Sequence, residues 1–546
     1  MPSSNIPPTT LKELLANSVA AFGPQVALYR WQDEQDAPVT YDELGRQVDA
    51  LGTALMQLKL KRRRIAIIGR NSYEWGLAYL AVMNGAGMAI PLDKELTTRE
   101  LSDSLRRVQA DAVIYSPDVA DKVDAARADH PLVQYIAMQP HNSDPYLYDL
   151  VVIGQQAIEG GNRDYRRDKI DPQAPAALLF TSGTTSRSKI VMLSHSNITS
   201  NVVNAVPPFR LGPNDKFLSL LPMHHMFECV AGFLAPLSAG STIYLSRGLR
   251  YISQEMKQQQ PTVIICVPRI IDVLAANIDK KIKQRQVEAK VDRLIAATNI
   301  AGIGPRLKRL VFGQIHRELG GRLRFFVSGA ASLSQARASR LAGLGFTIFQ
   351  GYGLTECSPA LALSHFDCND IDSVGLPVAG TELVISQPDE SGVGEILAKG
   401  PQVMLGYYDN PDATAKVFDA KGYFHTGDLG LMKPNGCLKI VGRTKNIIAT
   451  SGGKKIYPEE LESLLVESPD IKEVVVRGEE VRGVTVIIAE VVLAEAEQLA
   501  EQAALEAGAR HHIKTINKTL ANHEKIQRVD IRANEFAKTS TLKIKR

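Results

Sequence analysis

Thr181-Ser182-Gly183-Thr184-Thr185-Ser186-Arg187-Ser188-Lys189 is the stretch from which the rest of the chain can be read. It follows the apolar run Ala176-Ala177-Leu178-Leu179-Phe180 and runs into Ile190-Val191-Met192-Leu193, a strand pattern. Small hydroxyl residues around a glycine let backbone amides and hydroxyls close on phosphate oxygens, and the lysine adds a point charge. The P-loop of NTPases is excluded, because it needs GxxxxGK[ST] opening a helix. Taken alone, the stretch reads equally as a Ser/Thr-rich hairpin turn.

Four further segments carry chemistry-bearing residues. In Gly351-Tyr352-Gly353-Leu354-Thr355-Glu356 the glycines flanking an aromatic let a flat ring lie against the backbone, as a nucleobase would. The threonine and glutamate behind it suit a phosphate oxygen and a hard cation such as Mg2+. Tyr423-Phe424-His425-Thr426-Gly427-Asp428 ends in a carboxylate placed after a tight turn, suited to a ribose diol. Gly442-Arg443-Thr444-Lys445 precedes SGGKKIYPEELE, and the chain closes on the basic Lys538-Thr539-Ser540-Thr541-Leu542-Lys543-Ile544-Lys545-Arg546. Basic tails are ordinarily solvated, so this last segment gains meaning only from the others.

Composition sets the frame. A chain of 546 residues exceeds one compact core, so several subdomains are expected. Its net charge of +4 does not call for nucleic acid, while a basic surface suits polyphosphate ligands. Five scattered cysteines (Cys229, Cys266, Cys357, Cys368, Cys437) form no CxxC pair, which predicts reduced thiols and a cytoplasmic protein. The opening MPSSNIPPTTLKELL lacks a signal pattern, and no apolar run is long enough to predict a membrane span.

Patterning predicts a helix over Thr40 to Leu58, a strand at Arg64–Gly69, a helix from Trp75 to Met88 and a strand at Ala89–Leu92. Strand, helix, strand in that order points to a parallel sheet covered by helices. From Pro261, PTVIICVP reads as a strand ending at Pro268, followed by a basic helical stretch. Between Arg269 and Arg324, thirteen residues are basic and five acidic. Beyond about residue 440 a final unit shows strand patterns at VVVRG and VTVIIAEVVL and an Ala/Glu-rich helix from Glu495 to Gly508.

In order and spacing, the five segments resemble the adenylate-forming superfamily of acyl-CoA synthetases, peptide-synthetase adenylation domains and beetle luciferases, from about Thr40 to Arg546. Leu221-Pro222-Met223-His224-His225-Met226-Phe227-Glu228 resembles the LPLxHxFE segment of its long-chain fatty acid–CoA ligase branch. The basic stretch at about 270–322 resembles an insertion of that branch, and SGGKKIYPEELE resembles the form in enzymes that use CoA. The fold implied is α/β: a large N-terminal region (1–442) of several subdomains with mixed and parallel sheets packed with helices, and a small mobile α+β C-terminal domain (443–546).

The resemblance implies an acid–thiol ligase with ATP, Mg2+ and coenzyme A. Thr181, Ser182, Gly183, Thr184, Thr185 and Lys189 would hold the β- and γ-phosphates. Gly329, Ala330 and Ala331 with Gly351, Tyr352 and Gly353 would form the adenine slot. Thr355 would touch the α-phosphate, Glu356 the Mg2+, and Asp428 and Arg443 the ribose. Lys543 would bridge carboxylate and α-phosphate, His225 would line the carboxylate end of the acyl pocket, and Lys445 would be the hinge. His224 reads as a neighbour of the working histidine, and Cys357 lacks a base that would make it a nucleophile.

This sequence departs from the family pattern TSGTTGxPKG at Ser186, Ser188 and Ile190, and in the tail at Ala537 and Leu542, while every charged group is kept. Small-molecule substrates are therefore expected as the partners, with peripheral membrane contact through the basic stretch as an alternative to a solvated face. Other readings use the same chemistry on an aryl or medium-chain acid, or a carrier-protein thiol as acceptor. A catalytically silent nucleotide-binding protein and a luciferase-like oxidase complete the set.

Overall fold

The computed structural model describes residues 7–32, 35–181, 188–331, 333–450, 454–481, 484–495, 498–538 and 544. The expected helix after Thr40 runs Tyr41–Gln57. The Thr40 side chain accepts from the Glu43 amide, and Asp42 and Glu43 sit in the first turn, where carboxylates favour the helix dipole. Its Leu44, Val48, Leu51 and Leu55, three or four residues apart, are buried together.

Strands Arg63–Ile68 and Gly87–Leu92 pair in parallel, with Ile65 opposite Ala89. The helix expected between them is shorter than its pattern. It runs Tyr73–Ala81 and widens into a π-helical turn at Val82–Ala86, where Gly85 has φ 137°. That backbone conformation is open to glycine and ends the regular helix, so apolar periodicity alone overran the boundary.

These strands belong to a seven-stranded sheet. Its order is Gly406–Tyr407, Ile190–Ser194, Pro175–Phe180, Gly87–Leu92, Arg63–Ile68, Ala112–Tyr115 and Gln134–Ala137. A nine-stranded sheet has a parallel centre of Ile348–Gly353, Phe325–Ser328, Val263–Cys266, Lys216–Ser219 and Thr242–Leu245. The largest apolar cluster joins the two, taking Ile65 and Leu193 from one, Leu28 and Ile243 from the other, and Leu51, Trp75 and Tyr79 from intervening helices. Parallel strands present their carboxyl ends on one edge, and that edge is where ligand-binding loops collect in such sheets.

The basic stretch folds as helices Pro268–Gln284, Glu288–Ile300, Pro305–Val311 and Gly313–Glu318. Much of its charge is locally matched. Glu318 faces Lys257 at 3.0 Å, Lys281 at 2.6 Å and Arg285 at 3.2 Å, and hydrogen bonds from Lys281 and Lys257 hold its carboxyl down to about 2.

A four-stranded antiparallel sheet follows, in the order Glu382–Ser386, Gly394–Lys399, Phe424–Met432 and Leu438–Arg443. The chain then builds strands Ile471–Val481, Val484–Leu493 and Arg528–Arg532 over their own apolar cluster, which includes Leu465, Ile487, Val491 and Ile513. The Ala/Glu-rich helix is displaced from its expected span and runs Leu499–Ile516. Gly508, the last residue of the expected span, lies inside it. A Cβ there would meet Asp470 Oδ2 at 2.2 Å, so this glycine serves packing and not termination. No helix among the described residues is long and apolar enough to cross a membrane.

Candidate active site

The Thr181–Lys189 stretch joins two antiparallel strands, Pro175–Phe180 and Ile190–Ser194, with Phe180 opposite Ile190. Both earlier readings are thus compatible: it is a hairpin connection, closed by the Thr181 amide donating to the Lys189 carbonyl at 2.9 Å. Ser182, Gly183, Thr184 and Thr185 lie outside the described residues. At the loop's far side Arg107 donates to Ser188 Oγ at 3.2 Å and to the Ser188 carbonyl. Where the family pattern has a rigid proline, an arginine clamps a serine.

Lys189 Nζ stands 4.4 Å from the centre of the Tyr407 ring. The Tyr407 hydroxyl donates to Glu356 Oε1 at 3.0 Å, and the Met404 amide donates to the Glu356 carbonyl at 2.8 Å. Burial and the nearby Glu356 raise the Tyr407 phenol, so it remains a proton donor at neutral pH. Tyr407 therefore ties the phosphate-type loop to the Gly351–Glu356 segment. Sequence reasoning missed it, as it missed Arg107; Gly-Tyr-Tyr before Asp-Asn-Pro carries no periodic or charged signal.

Gly351, Tyr352 and Gly353 form the carboxyl end of strand Ile348–Gly353, and Thr355–Cys357 make a single 3-10 turn beyond it. The strand pairs in parallel with Phe325–Ser328, Ser328 lying opposite Gln350, so Gly329 to Ala331 emerge beside Gly351 to Gly353. The two halves of the expected slot are neighbours. Ala330 has φ 73°, a left-handed conformation uncommon for alanine and of the kind that collects at functional sites.

The glycines have a further reason beyond the one expected. A Cβ on Gly353 would lie 1.9 Å from the Pro359 carbonyl oxygen, and one on Gly329 would lie 2.9 Å from Phe227 Cζ. Close approach of protein to protein requires them, whatever ring lies alongside. Cys357 is fully buried and its thiol is pushed well above the usual range by that burial, which leaves no nucleophile there. The cysteines are less scattered than the sequence suggests, since Cys368 Sγ lies 2.8 Å from Cys437 Sγ.

Asp428 and Arg443 face each other across strands Phe424–Met432 and Leu438–Arg443. Arg443 Nε donates to Asp428 Oδ1 at 2.8 Å, and the Tyr352 hydroxyl donates to Oδ2 at 2.8 Å. Before Asp428, Gly427 takes φ 70° and its amide donates to Glu395 Oε1 at 3.1 Å; in place of the expected tight turn, the strand Phe424–Met432 runs on through a register shift against Gly394–Lys399. The tyrosine of one motif and the arginine of another thus converge on the aspartate of a third.

The His224-His225 segment follows strand Lys216–Ser219. The Asn71 side chain holds it, donating to the Leu221 carbonyl at 2.7 Å and accepting from the Met223 amide at 2.9 Å. His225 thereby stands beside Asp93, which directly follows strand Gly87–Leu92. Glu228 of the same segment is fully buried, which pushes its carboxyl up to about 8, and it accepts from the Ser219 hydroxyl at 2.5 Å. Lys445 occupies the 3-10 turn Thr444–Asn446 after Arg443. Lys543 lies outside the described residues.

A multi-subdomain α/β body with its motifs gathered at strand ends, followed by a small α+β unit, is the class of protein defined here. Residues 15–408 match the AMP-binding enzyme family and residues 445–546 its C-terminal domain, so the chain belongs to the AMP-binding enzymes. Similar curated proteins include the long-chain-fatty-acid–CoA ligase FadD15 of Mycobacterium bovis, 30% identical over 81% of this chain and 75% of that protein. Long-chain-fatty-acid–CoA ligase 1 of Homo sapiens is 29% identical over 82% of this chain and 69% of its own length. The chloroplastic long-chain-fatty-acid–[acyl-carrier-protein] ligase AEE15 of Arabidopsis thaliana is 26% identical over 87% and 75%. Among solved structures, the ATP-bound RpMatB-BxBclM chimera B3 superposes with a TM-score of 0.76 at 25% identity, covering 98% of this chain and 97% of that one. The anthranilate CoA ligase AuaEII shares the fold, with a TM-score of 0.78 at 18% identity over 98% and 95%.

Proposed function

We propose that this chain is an ATP-dependent acid–thiol ligase that activates a long-chain fatty acid as acyl-AMP and passes the acyl group to CoA. The observation that carries the reading is the convergence of Tyr352, Asp428 and Arg443 beside Gly329–Ala331, with Glu356 and Lys189 joined through Tyr407. The similarity to long-chain-fatty-acid–CoA ligases supports the acid class.

A carboxylate is a poor electrophile, so its oxygen first attacks the α-phosphorus of ATP and the bond to pyrophosphate breaks. The thiol sulfur then attacks the acyl carbon and AMP leaves. Charge accumulates on phosphate oxygens in the first step, and fixed donors with a nearby cation answer it. In this reading Thr181, Ser182, Gly183, Thr184, Thr185 and Lys189 cradle the β- and γ-phosphates. Gly329, Ala330, Ala331, Gly351, Tyr352 and Gly353 flank the adenine, and Thr355 donates to the α-phosphate. Asp428, oriented by Arg443 at Oδ1 and Tyr352 at Oδ2, accepts from the ribose hydroxyls.

The donor set fits Mg2+: a single carboxylate, Glu356, oriented by Tyr407 beside a threonine hydroxyl, suits an ion that keeps waters and shares substrate phosphates. Once bound, Mg2+ supplies neutralisation of the phosphate charge. Lys543 bridges carboxylate and α-phosphate, His225 lines the carboxylate end of the acyl pocket, and residues 443–546 swing about Lys445 between the two reactions. Exposed Ile300, Leu307 and Leu310 on the basic helices favour peripheral contact with a lipid surface.

Acid-dependent ATP–pyrophosphate exchange over acids from short to long chain tests the reading. Exchange with long-chain acids, abolished in Lys543→Ala, is expected; its absence with every acid would overturn the proposal. The relative from Arabidopsis thaliana named for an acyl-carrier-protein acceptor favours a second reading, in which a carrier thiol replaces CoA. Thioester formation with CoA against carrier protein separates the two.

A further inference from the structure

We propose that Asp93, His224 and His225 form a binding site for a single divalent transition-metal ion of the Zn2+ class. The residues come from two different sheets. Asp93 leaves the carboxyl end of strand Gly87–Leu92, and the two histidines lie on the loop that follows strand Lys216–Ser219. The Asn71 amide, clamping Leu221 and Met223, fixes that loop against the first sheet.

A ligating atom from each of the three residues lies within 4.8 Å of the others. His224 Nε2 is 3.5 Å from Asp93 Oδ2, and the two imidazole rings are 4.1 Å apart. Zinc–ligand bonds of about 2.0–2.2 Å in tetrahedral geometry separate neighbouring ligand atoms by roughly 3.3 Å. The 3.5 Å between His224 Nε2 and Asp93 Oδ2 is close to that separation, and it is too long for a good hydrogen bond.

A second observation points the same way. The His224 side chain is only 8% exposed, yet its Nε2 is buried without a hydrogen-bond partner. Buried polar atoms are nearly always satisfied, and a cation shared with the facing Asp93 carboxylate would satisfy this imidazole nitrogen. Two imidazoles with one carboxylate select Zn2+, Co2+ or Ni2+ over Mg2+, which prefers oxygen donors. The site is thus distinct from the one at Glu356. In the ligase reading, on which this consequence alone rests, an ion here stands where the acid's carboxylate must pass and competes with it.

The test uses the full-length protein, stripped with a chelator and titrated with Zn2+ against a chromophoric competitor, and with Co2+ by visible absorption. The expected result is a single tight equivalent and d–d bands without thiolate charge transfer. Asp93→Asn, His224→Ala and His225→Ala should each weaken binding roughly tenfold or more, as loss of a supporting group at metal sites commonly does. Thermal melts establish that each variant is folded, and His523→Ala should bind as the parent does. No stoichiometric ion in the parent, unchanged affinity in the ligand variants, or loss of the ion in Cys368→Ser would overturn the site. ATP–pyrophosphate exchange in Mg2+ on the same stock reports separately on the ligase reading.

Discussion

The Tyr352 hydroxyl donates to Asp428 Oδ2 at 2.8 Å, across a separation of 76 residues. Burial raises the Tyr352 phenol well above its ordinary value, so the bond persists at any physiological pH. Tyr352→Phe removes one donor from a buried carboxylate, at a cost of about 1–2 kcal/mol. The expected outcome is a rise in KM for ATP of roughly fivefold to thirtyfold, with kcat little changed, as measured by pyrophosphate release. An unaltered KM would show that Asp428 is positioned without the tyrosine.

Glu356 and Tyr407 should separate by magnitude. Glu356→Gln removes the carboxylate proposed to face Mg2+ and should lower the exchange rate by on the order of a hundredfold. Tyr407→Phe leaves the carboxylate and loses only its 3.0 Å hydrogen bond, so a change of several-fold is expected. Titrating Mg2+ in the exchange assay distinguishes them. The glutamine variant should need far more of the ion, the phenylalanine variant only slightly more.

Two glycines should fail for different reasons. Gly353→Ala places a Cβ 1.9 Å from the Pro359 carbonyl oxygen, an overpacking expected to cost about 1–3 kcal/mol and to shift the strand end. Gly427 has φ 70° with open space around its Cβ position, so Gly427→Ala pays backbone strain alone, about 1–2 kcal/mol. Urea unfolding measures both. A Gly353→Ala protein as stable as the parent would mean that the two backbones can move apart.

The buried Glu228 gives a pH signature. Its folded-state value of about 8 lies above the ordinary carboxyl value of 4.5, so the folded protein holds the proton that the unfolded chain gives up between those values. Its contribution to stability is complete below pH 4.5 and is lost as pH rises through 8. Glu228→Gln keeps an acceptor for the Ser219 hydroxyl and removes the titration. The variant should gain stability relative to the parent at pH 9 compared with pH 5, by denaturant midpoints. An equal difference at both would place an ionised carboxylate there.

The motifs were legible because their chemistry is local. A run of hydroxyls with a lysine, glycines around a tyrosine and a carboxylate after a glycine are each short enough to read from neighbouring residues. Helix Tyr41–Gln57 was legible for the same reason, through its threonine cap and the spacing of its leucines. Element ends were not, since Gly85 and Gly508 have their roles set by a backbone angle and by Asp470. Tyr407, Arg107 and Asn71 escaped because each acts on a partner distant in the chain.

By itself the sequence determined the α/β class, the family resemblance and the residue types offered to a nucleotide, because strand periodicity and motif chemistry are properties of consecutive residues. Only the tertiary structure decided which motifs share one place: Tyr352 and Arg443 on Asp428, Lys189 and Glu356 on Tyr407, and the two histidines on Asp93. The physical reason is that strands and loops far apart in the chain meet only through the pairing and packing of whole sheets, and no local pattern records which of them will meet.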